Sequence, residues 1–423
     1  MITLYGKSVY QDICMGKILY RPNGTDAAWN PAQLTGPVII AAKDLTPADT
    51  KPLVPENVLG FLLEQGSSDS HVSMLAKSMG VPALIAMQAG SLEEYNGYQA
   101  ILDGENGVAY IEPDEETRAE LHERKCILAR KKESLQALKG KETVTADGSR
   151  IHLYADIGSL QDIDNALEND AEGIGLLRSE FLYLENQDFP TQERLFEVYR
   201  QALLKMENKR VVIRTLDIGT DKAAEYFKLE KEINPALGAR GLRVCLNRPE
   251  IFKAQLRALY RAACYGRLGI LIPMVISLEE VLMVKEIASQ VQKELSDEGT
   301  AYEEHVEFGI MIETPAAALI SEKLAREVDF FCIGTNNLSQ LTMAIDRQNK
   351  NMQSFYNPHH EAVLKLIAMS VQAAHKEGKR AALCGELAAD GEMFETFINM
   401  DVDELVITSD VLLEARKKIR EIY

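Results

Sequence analysis

Two side chains far apart in the sequence have the right type and setting for chemistry at phosphorus and carbon. His71 closes a small-residue loop, Gly66-Ser67-Ser68-Asp69-Ser70, and opens an apolar, helix-periodic run that Gly80-Val81-Pro82 stops before a short apolar strand. A histidine in the first turn of a helix stands among unpaired backbone N–H groups at the positive end of the helix dipole, a place that holds an anion such as a phosphoryl group. Cys384 ends an apolar run and is followed by Gly385-Glu386-Leu387; a thiol at a strand end can give or take a proton at carbon. Four arginines, Arg178, Arg214, Arg240 and Arg347, follow or flank other strand-like runs, as does the carboxylate Glu313. The planar arginine fork pairs bidentately with phosphate or carboxylate and stays charged. A carboxylate such as Glu313 is the hard oxygen ligand that Mg2+ takes. Taken singly, each has a plainer reading: a capping histidine, a surface arginine, a cysteine acting as a small buried hydrophobe. Their joint placement at successive strand ends favours a site for a multiply charged phosphate-carboxylate.

The elements that must position them divide the chain in three. Residues 1–114 carry short strands, around Cys14–Tyr20, Pro37–Ala42, Val58–Leu63, Pro82–Ile85, Gln99–Leu102 and Gly107–Ile111, with one central helix after His71. They predict a compact β/α domain. Residues 115–145 open with a charged stretch almost free of Gly and Pro and rich in Leu, Ala, Glu and Lys, which predicts a helical linker. Residues 146–423 alternate strands with longer helical patterns. The strands are expected at 151–156, 173–177, 210–216, 270–275, 308–313, 330–334, 381–384 and 404–407, with helices at 279–295 and 316–327. Eight βα units over this length predict a TIM-type (β/α)8 barrel, an α/β fold whose site lies at the C-terminal strand ends.

A chain of 423 residues exceeds one ordinary core, and 46% hydrophobic with 26% charged residues is the composition of a globular protein. No apolar run approaches the ~20 residues that span a bilayer, and the N-terminus lacks the basic-then-apolar form of a signal peptide. Six scattered cysteines without a CxxC pair suggest reduced thiols and a cytoplasmic location. A formal net charge of -18 argues against nucleic acid or an anionic membrane as partner. A local arginine cluster can still attract a small anion.

Several ordered runs, 173–183, 214–222, 310–317, 329–336 and Cys384-Gly385-Glu386-Leu387, together resemble Enzyme I of the bacterial phosphotransferase system, within the phosphoenolpyruvate-utilising enzymes. The resemblance covers nearly the whole chain. It implies a phosphohistidine swivel domain, a barrel that binds phosphoenolpyruvate and Mg2+, phosphoryl transfer to His71 with release of pyruvate, and onward transfer to an acceptor protein. By the same resemblance Arg178, Arg214, Arg240, Arg347 and Asn336 bind substrate, Glu313 and Asn337 take the metal positions, Cys384 protonates the enolate, and the chain forms a homodimer. Three positions depart from the family. The span 20–37 has no room for the helical insertion that docks the acceptor HPr. Asn337 stands where the family has a metal-binding aspartate, and Asp69 puts a carboxylate two residues before the histidine. These departures leave a second reading, a non-catalytic sensor of phosphoenolpyruvate or pyruvate.

Overall fold

The computed structural model of the chain describes residues 1–22, 36–50, 53–66, 70–88, 90–184, 188–220, 225–230 and 232–423. The chain divides into two compact units, Met1–Ala137 and Leu138–Tyr423.

The first unit is an eight-stranded mixed sheet. Its strands in chain order are β1 (Ile2–Tyr5), β2 (Lys7–Ser8), β3 (Ile13–Arg21), β4 (Val38–Ala42), β5 (Val58–Leu63), β6 (Ala83–Ile85), β7 (Gln99–Asp103) and β8 (Val108–Ile111), arranged β1-β8-β7-β3-β4-β5-β6-β2. The run β3-β4-β5-β6 is parallel. Side chains of a strand alternate between faces. Thus Ile39, Ala41 and Leu62 enter one apolar cluster, while Ile40, Ala42 and Phe61 enter the other. The helix His71–Met79 buries Val72 and Ala76 on the second of these faces. The connection from β3 to β4, where the family carries its helical insertion, runs through residues 22–37, of which 23–35 lie outside the described residues, as does Asp69.

The charged stretch after Pro113 forms a single helix, Glu115–Gln136, opened by Asp114, whose side chain accepts from Thr117 N. It packs on the first unit: Leu121 is buried with Ile13 and Ile101, and Arg124 Nη1 donates to the buried Asp103 carboxylate at 2.7 Å.

The second unit is a closed barrel of eight parallel strands: β9 (His152–Ile157), β10 (Ile174–Arg178), β11 (Val211–Arg214), β12 (Leu268–Ile272), β13 (Glu307–Ile312), β14 (Phe330–Gly334), β15 (Arg380–Cys384) and β16 (Glu404–Ile407). All eight lie within a few residues of the expected runs. The helix expected at 279–295 runs Leu278–Asp297 and starts with a Ser277/Glu280 capping box. The one expected at 316–327 is instead two short helices, Pro315–Leu319 and Ser321–Ala325, broken at Ile320, whose ψ of 15° leaves the helical range.

Alternation along the strands fills the barrel in layers. Leu176, Val212, Leu271, Met311, Ala382 and Val406 belong to one central apolar cluster, and Phe330 occupies the space over Gly309, where a Cβ would lie 2.4 Å from its ring. At the N-terminal end the same inward series continues as charges. Arg210, 3% exposed, donates Nε to Glu307 Oε2 at 2.7 Å and Nη1 to Glu404 Oε2 at 3.0 Å, with its guanidinium 4.5 Å from the Phe330 ring centre. Arg380 closes the network onto Glu307 at 2.9 Å. Removing one partner of a buried pair costs about 3–5 kcal/mol, because the other charge stays buried, whereas replacing both with apolar groups is often near neutral. Arg210→Leu is therefore expected to shift the denaturant midpoint of the barrel strongly downward, and Arg210→Leu with Glu404→Leu to regain most of the loss. Simple addition of the two single effects would overturn this account.

Candidate functional site

The C-terminal ends of the same strands carry the other charged layer. Arg214 ends β11, and three residues on, its chain turns Asp217 back beneath it. Asp217 is fully buried and holds two guanidinium groups. Arg240 Nε and Nη2 reach its two oxygens at 2.9 Å each, and Arg214 Nη1 lies 3.1 Å from Oδ2. Gly241, at φ 58°, lets the Arg240 segment approach, since a Cβ there would sit 3.0 Å from Asp217 Oδ1. Arg214 Nη2 also donates to Glu180 Oε1 at 2.6 Å, while Glu180 Oε2 is buried without a hydrogen-bond partner among the described residues. Behind this cluster lies Gln255, fully buried: it accepts from Leu216 N at 3.0 Å and donates to Ser179 Oγ at 3.1 Å, and Ser179 Oγ donates to Arg214 O at 2.7 Å. The ends of β10 and β11 are thus tied together through Ser179 and Gln255.

Glu313 follows β13 and is buried. Its Oε1 accepts from Met274 N at 2.7 Å and its Oε2 from Asn337 Nδ2 at 2.6 Å. Met274 makes that contact in the left-handed region, at φ 58°, a conformation rare for its side chain. Burial and the neighbouring Asp217 push the Glu313 carboxyl above its ordinary range; Arg214, Arg240 and the Asn337 amide pull against that rise. Glu180 is raised as well, by burial first, with Arg214 opposing.

Cys384 ends β15 inside the barrel, 3% exposed, with Cys332 Sγ of β14 donating to its Sγ at 3.3 Å. A charge on Cys332 would hold the Cys384 thiol well above the usual thiol range. Burial and the carboxylates of Asp156 and Glu313 act in the same direction. At neutral pH this sulfur carries a proton. Gly385 follows at φ 98°, where a Cβ would meet Thr335 Oγ1 at 2.5 Å and Asn336 Oδ1 at 2.7 Å. That close approach lets Asn336 Oδ1 accept from Glu386 N at 3.0 Å.

The remaining arginines are held more loosely. Arg178, 48% exposed at its side chain, has Nε 3.0 Å from Asp156 Oδ1, and Arg347, 28% exposed, has Nη1 3.8 Å from the exposed Glu386. The barrel therefore gathers the partly buried Arg214 and Arg240 on Asp217 and pairs the buried Glu313 with Asn337. It sets Cys384 and Asn336 on neighbouring strand ends, and leaves Arg178 and Arg347 as less engaged cations. His71 belongs to the first unit, where it is the first residue of its helix. Ser70 Oγ accepts from Ser73 N at 3.3 Å and so caps that helix. Asp221 and Lys222 of the 214–222 run lie outside the described residues. Sequence reasoning did not single out Asp217, Glu180, Asp156, Met274 or Cys332.

Residues 34–107 match the family described as "PEP-utilising enzyme, mobile domain", and residues 132–423 match "PEP-utilising enzyme, PEP-binding domain". The chain belongs to the PEP-utilising enzyme family and, within it, to the group of the phosphoenolpyruvate-protein phosphotransferases. Proteins of that name from Priestia megaterium and Bacillus subtilis are 40% and 41% identical to it over 393 residues, 93% of this chain and 69% of theirs. One from Staphylococcus carnosus is 40% identical over the same spans. Among the described residues no helix is long and apolar enough to cross a membrane.

Asp217→Asn keeps the shape of the clamp but removes the charge that holds Arg214 and Arg240 together. Loss of such a buried partner is expected to cost about 3 kcal/mol in denaturant unfolding. Added inorganic phosphate, which can neutralise the freed arginines, should raise the melting temperature of the variant more than that of the parent chain. An equal phosphate effect on both would show that Asp217 does not balance the pair.

Proposed function

We propose that this chain takes the phosphoryl group of phosphoenolpyruvate onto His71, releases pyruvate and passes the group to a protein acceptor. The observation that carries the reading is the set of strand ends on which an arginine cluster, a buried carboxylate–amide pair and a protonated thiol stand side by side. Arg178, Arg214, Arg240, Arg347 and Asn336 would bind the phosphate and carboxylate of the substrate. The His71 imidazole attacks phosphorus in line. The N–P bond forms, the bridging O–P bond breaks and the enolate of pyruvate leaves. Cys384 then supplies the proton that turns the enolate carbon into a methyl group. Such catalysis is mainly positioning and charge stabilisation.

A divalent cation fits the residues present. Glu313 offers a carboxylate and Asn337 an amide whose oxygen and nitrogen exchange places on rotation, and Mg2+ binds through one or two such oxygens plus substrate phosphate and water. Glu313 and Asn337 would hold it; when bound, Mg2+ neutralises phosphate charge and fixes the substrate oxygens. An amide ligand lacks the charge of a carboxylate, and this favours the second reading, a chain that binds phosphoenolpyruvate or pyruvate as a signal without turning it over.

Incubation with phosphoenolpyruvate labelled at phosphorus separates the two. Acid-labile, Mg2+-dependent label that is absent from His71→Ala is the expected result; binding of phosphoenolpyruvate without label would leave the sensor. Asn337→Asp is expected to tighten Mg2+ binding by about tenfold, because ligand charge sets affinity in such sites. In chelator its second carboxylate beside Glu313 should lower the melting temperature. Unchanged Mg2+ affinity in the variant would remove Asn337 from the metal position.

A further inference from the structure

Cys384 has a partner inside the barrel that the proposed reaction does not yet use. In the register of β14 and β15, Cys384 pairs with Gly334, and Cys332 lies two residues earlier, facing the same interior. Cys332 Sγ donates to Cys384 Sγ at 3.3 Å, and both thiols are buried among apolar neighbours that include Met311, Phe330 and Val406. Among the described residues Cys332 is the one hydrogen-bond donor to the Cys384 sulfur. Packing alone would ask only for a small apolar side chain here; a thiol adds a directional donor.

We propose that Cys332 is a positioning residue for the proton transfer made by Cys384: its S–H fixes the Cys384 sulfur and solvates the thiolate left when that sulfur gives up its proton. The inference rests on the reading above, in which Cys384 protonates the enolate. In that step the Cys384 S–H bond breaks and its electron pair stays on sulfur. A C–H bond forms at the enolate carbon, and the enolate oxygen becomes the ketone oxygen of pyruvate. Water then reprotonates the thiolate. An isolated thiolate at this depth would face the desolvation cost of any buried charge and the nearby carboxylates of Asp156 and Glu313. Between two adjacent thiols, the first proton to leave is helped by the partner's S–H, and the second is opposed by the partner's charge. One proton at a time is all the reaction requires. With Cys332 as donor, the Cys384 proton is also kept out of the thiol–thiol contact and is free to point at the substrate.

The test compares two rates in the full chain. One is labelling by phosphoenolpyruvate labelled at phosphorus. The other is loss of the pyruvate methyl proton signal in D2O with Mg2+, phosphoenolpyruvate and excess pyruvate, which requires Cys384 to exchange protons with carbon. Cys332→Ala is expected to lower the ratio of exchange to labelling about tenfold, within the range of one hydrogen bond to a charged group. Cys332→Ser, which restores a donor, should recover most of it. An unchanged ratio in Cys332→Ala, or a Cys332→Ser variant no better than Cys332→Ala, would overturn the role of Cys332 while leaving phosphoryl transfer to His71 intact. A parent chain that neither labels nor exchanges would overturn the functional reading and this inference with it.

Discussion

The side-chain alternation of eight parallel strands is the constraint on which the second unit depends. Along β11 the inward series is Arg210, Val212, Arg214; along β13 it is Glu307, Gly309, Met311, Glu313; along β15 it is Arg380, Ala382, Cys384. Each of these three strands places a charge at one end, an apolar group at mid-height and a reactive or charged group at the other end. The apolar layer separates two polar ones, so the Arg210–Glu404–Glu307–Arg380 network stabilises the barrel base, and the Asp217 cluster lies at the opposite end, where barrels of this type carry their sites. A shift of one residue in any strand would turn its inward set outward. That sensitivity explains why the reactive groups and the base network are specified by the same register.

Depth governs the character of the upper layer. Burial raises Glu313 and Glu180, Cys384 is raised by Cys332 and then by burial, and in each case nearby carboxylates add to the rise. Arginine is the one ionisable group in the layer that burial does not neutralise, so Arg214 and Arg240 keep their charge and the carboxylates arrange themselves around it. The thiol gains from the same conditions: a protonated Cys384 is an acid suited to giving a proton to carbon rather than a nucleophile.

Much of this was legible in the sequence. The eight barrel strands announce themselves because buried parallel strands read as short apolar runs bounded by turns, and charged residues at the ends of those runs draw the eye. The helix at His71 was legible from its periodicity and the Gly80-Val81-Pro82 stop. What escaped has a physical reason in each case. Asp217 and Glu180 lie near arginines in sequence, where a carboxylate ordinarily reads as a solvated ion pair; only the fold shows that Asp217 is buried and Glu180 largely so. Met274 takes a left-handed backbone conformation with no glycine or asparagine to signal it. Cys332 reads as a small hydrophobe until β14 and β15 are set in register. The single helix expected over 316–327 failed because its apolar pattern persists through Ile320 while the backbone breaks there.

The two kinds of arginine in the site have separate tasks on the proposed reading. Arg214 and Arg240 share Asp217, and Arg214 also meets Glu180, so their charge is largely answered within the protein. They cannot supply the full counter-charge for a substrate that carries both phosphate and carboxylate. Arg178 and Arg347 are the ones with charge to spare: among the described residues each has a single carboxylate contact, and that of Arg347 is a 3.8 Å approach to a side chain that is 83% exposed. An exposed pair such as Arg347–Glu386 holds its partner by less than about 1 kcal/mol, so an arriving anion displaces it at little cost, whereas Arg178 stands over the largely buried Asp156 carboxylate. On this reading the locked pair fixes the shape of the site, and Arg347 is the arginine most readily turned to an arriving anion. In a chain whose net charge is -18, long-range attraction does not bring an anion in. Selectivity must come from this short-range division between arginines already committed and arginines still available.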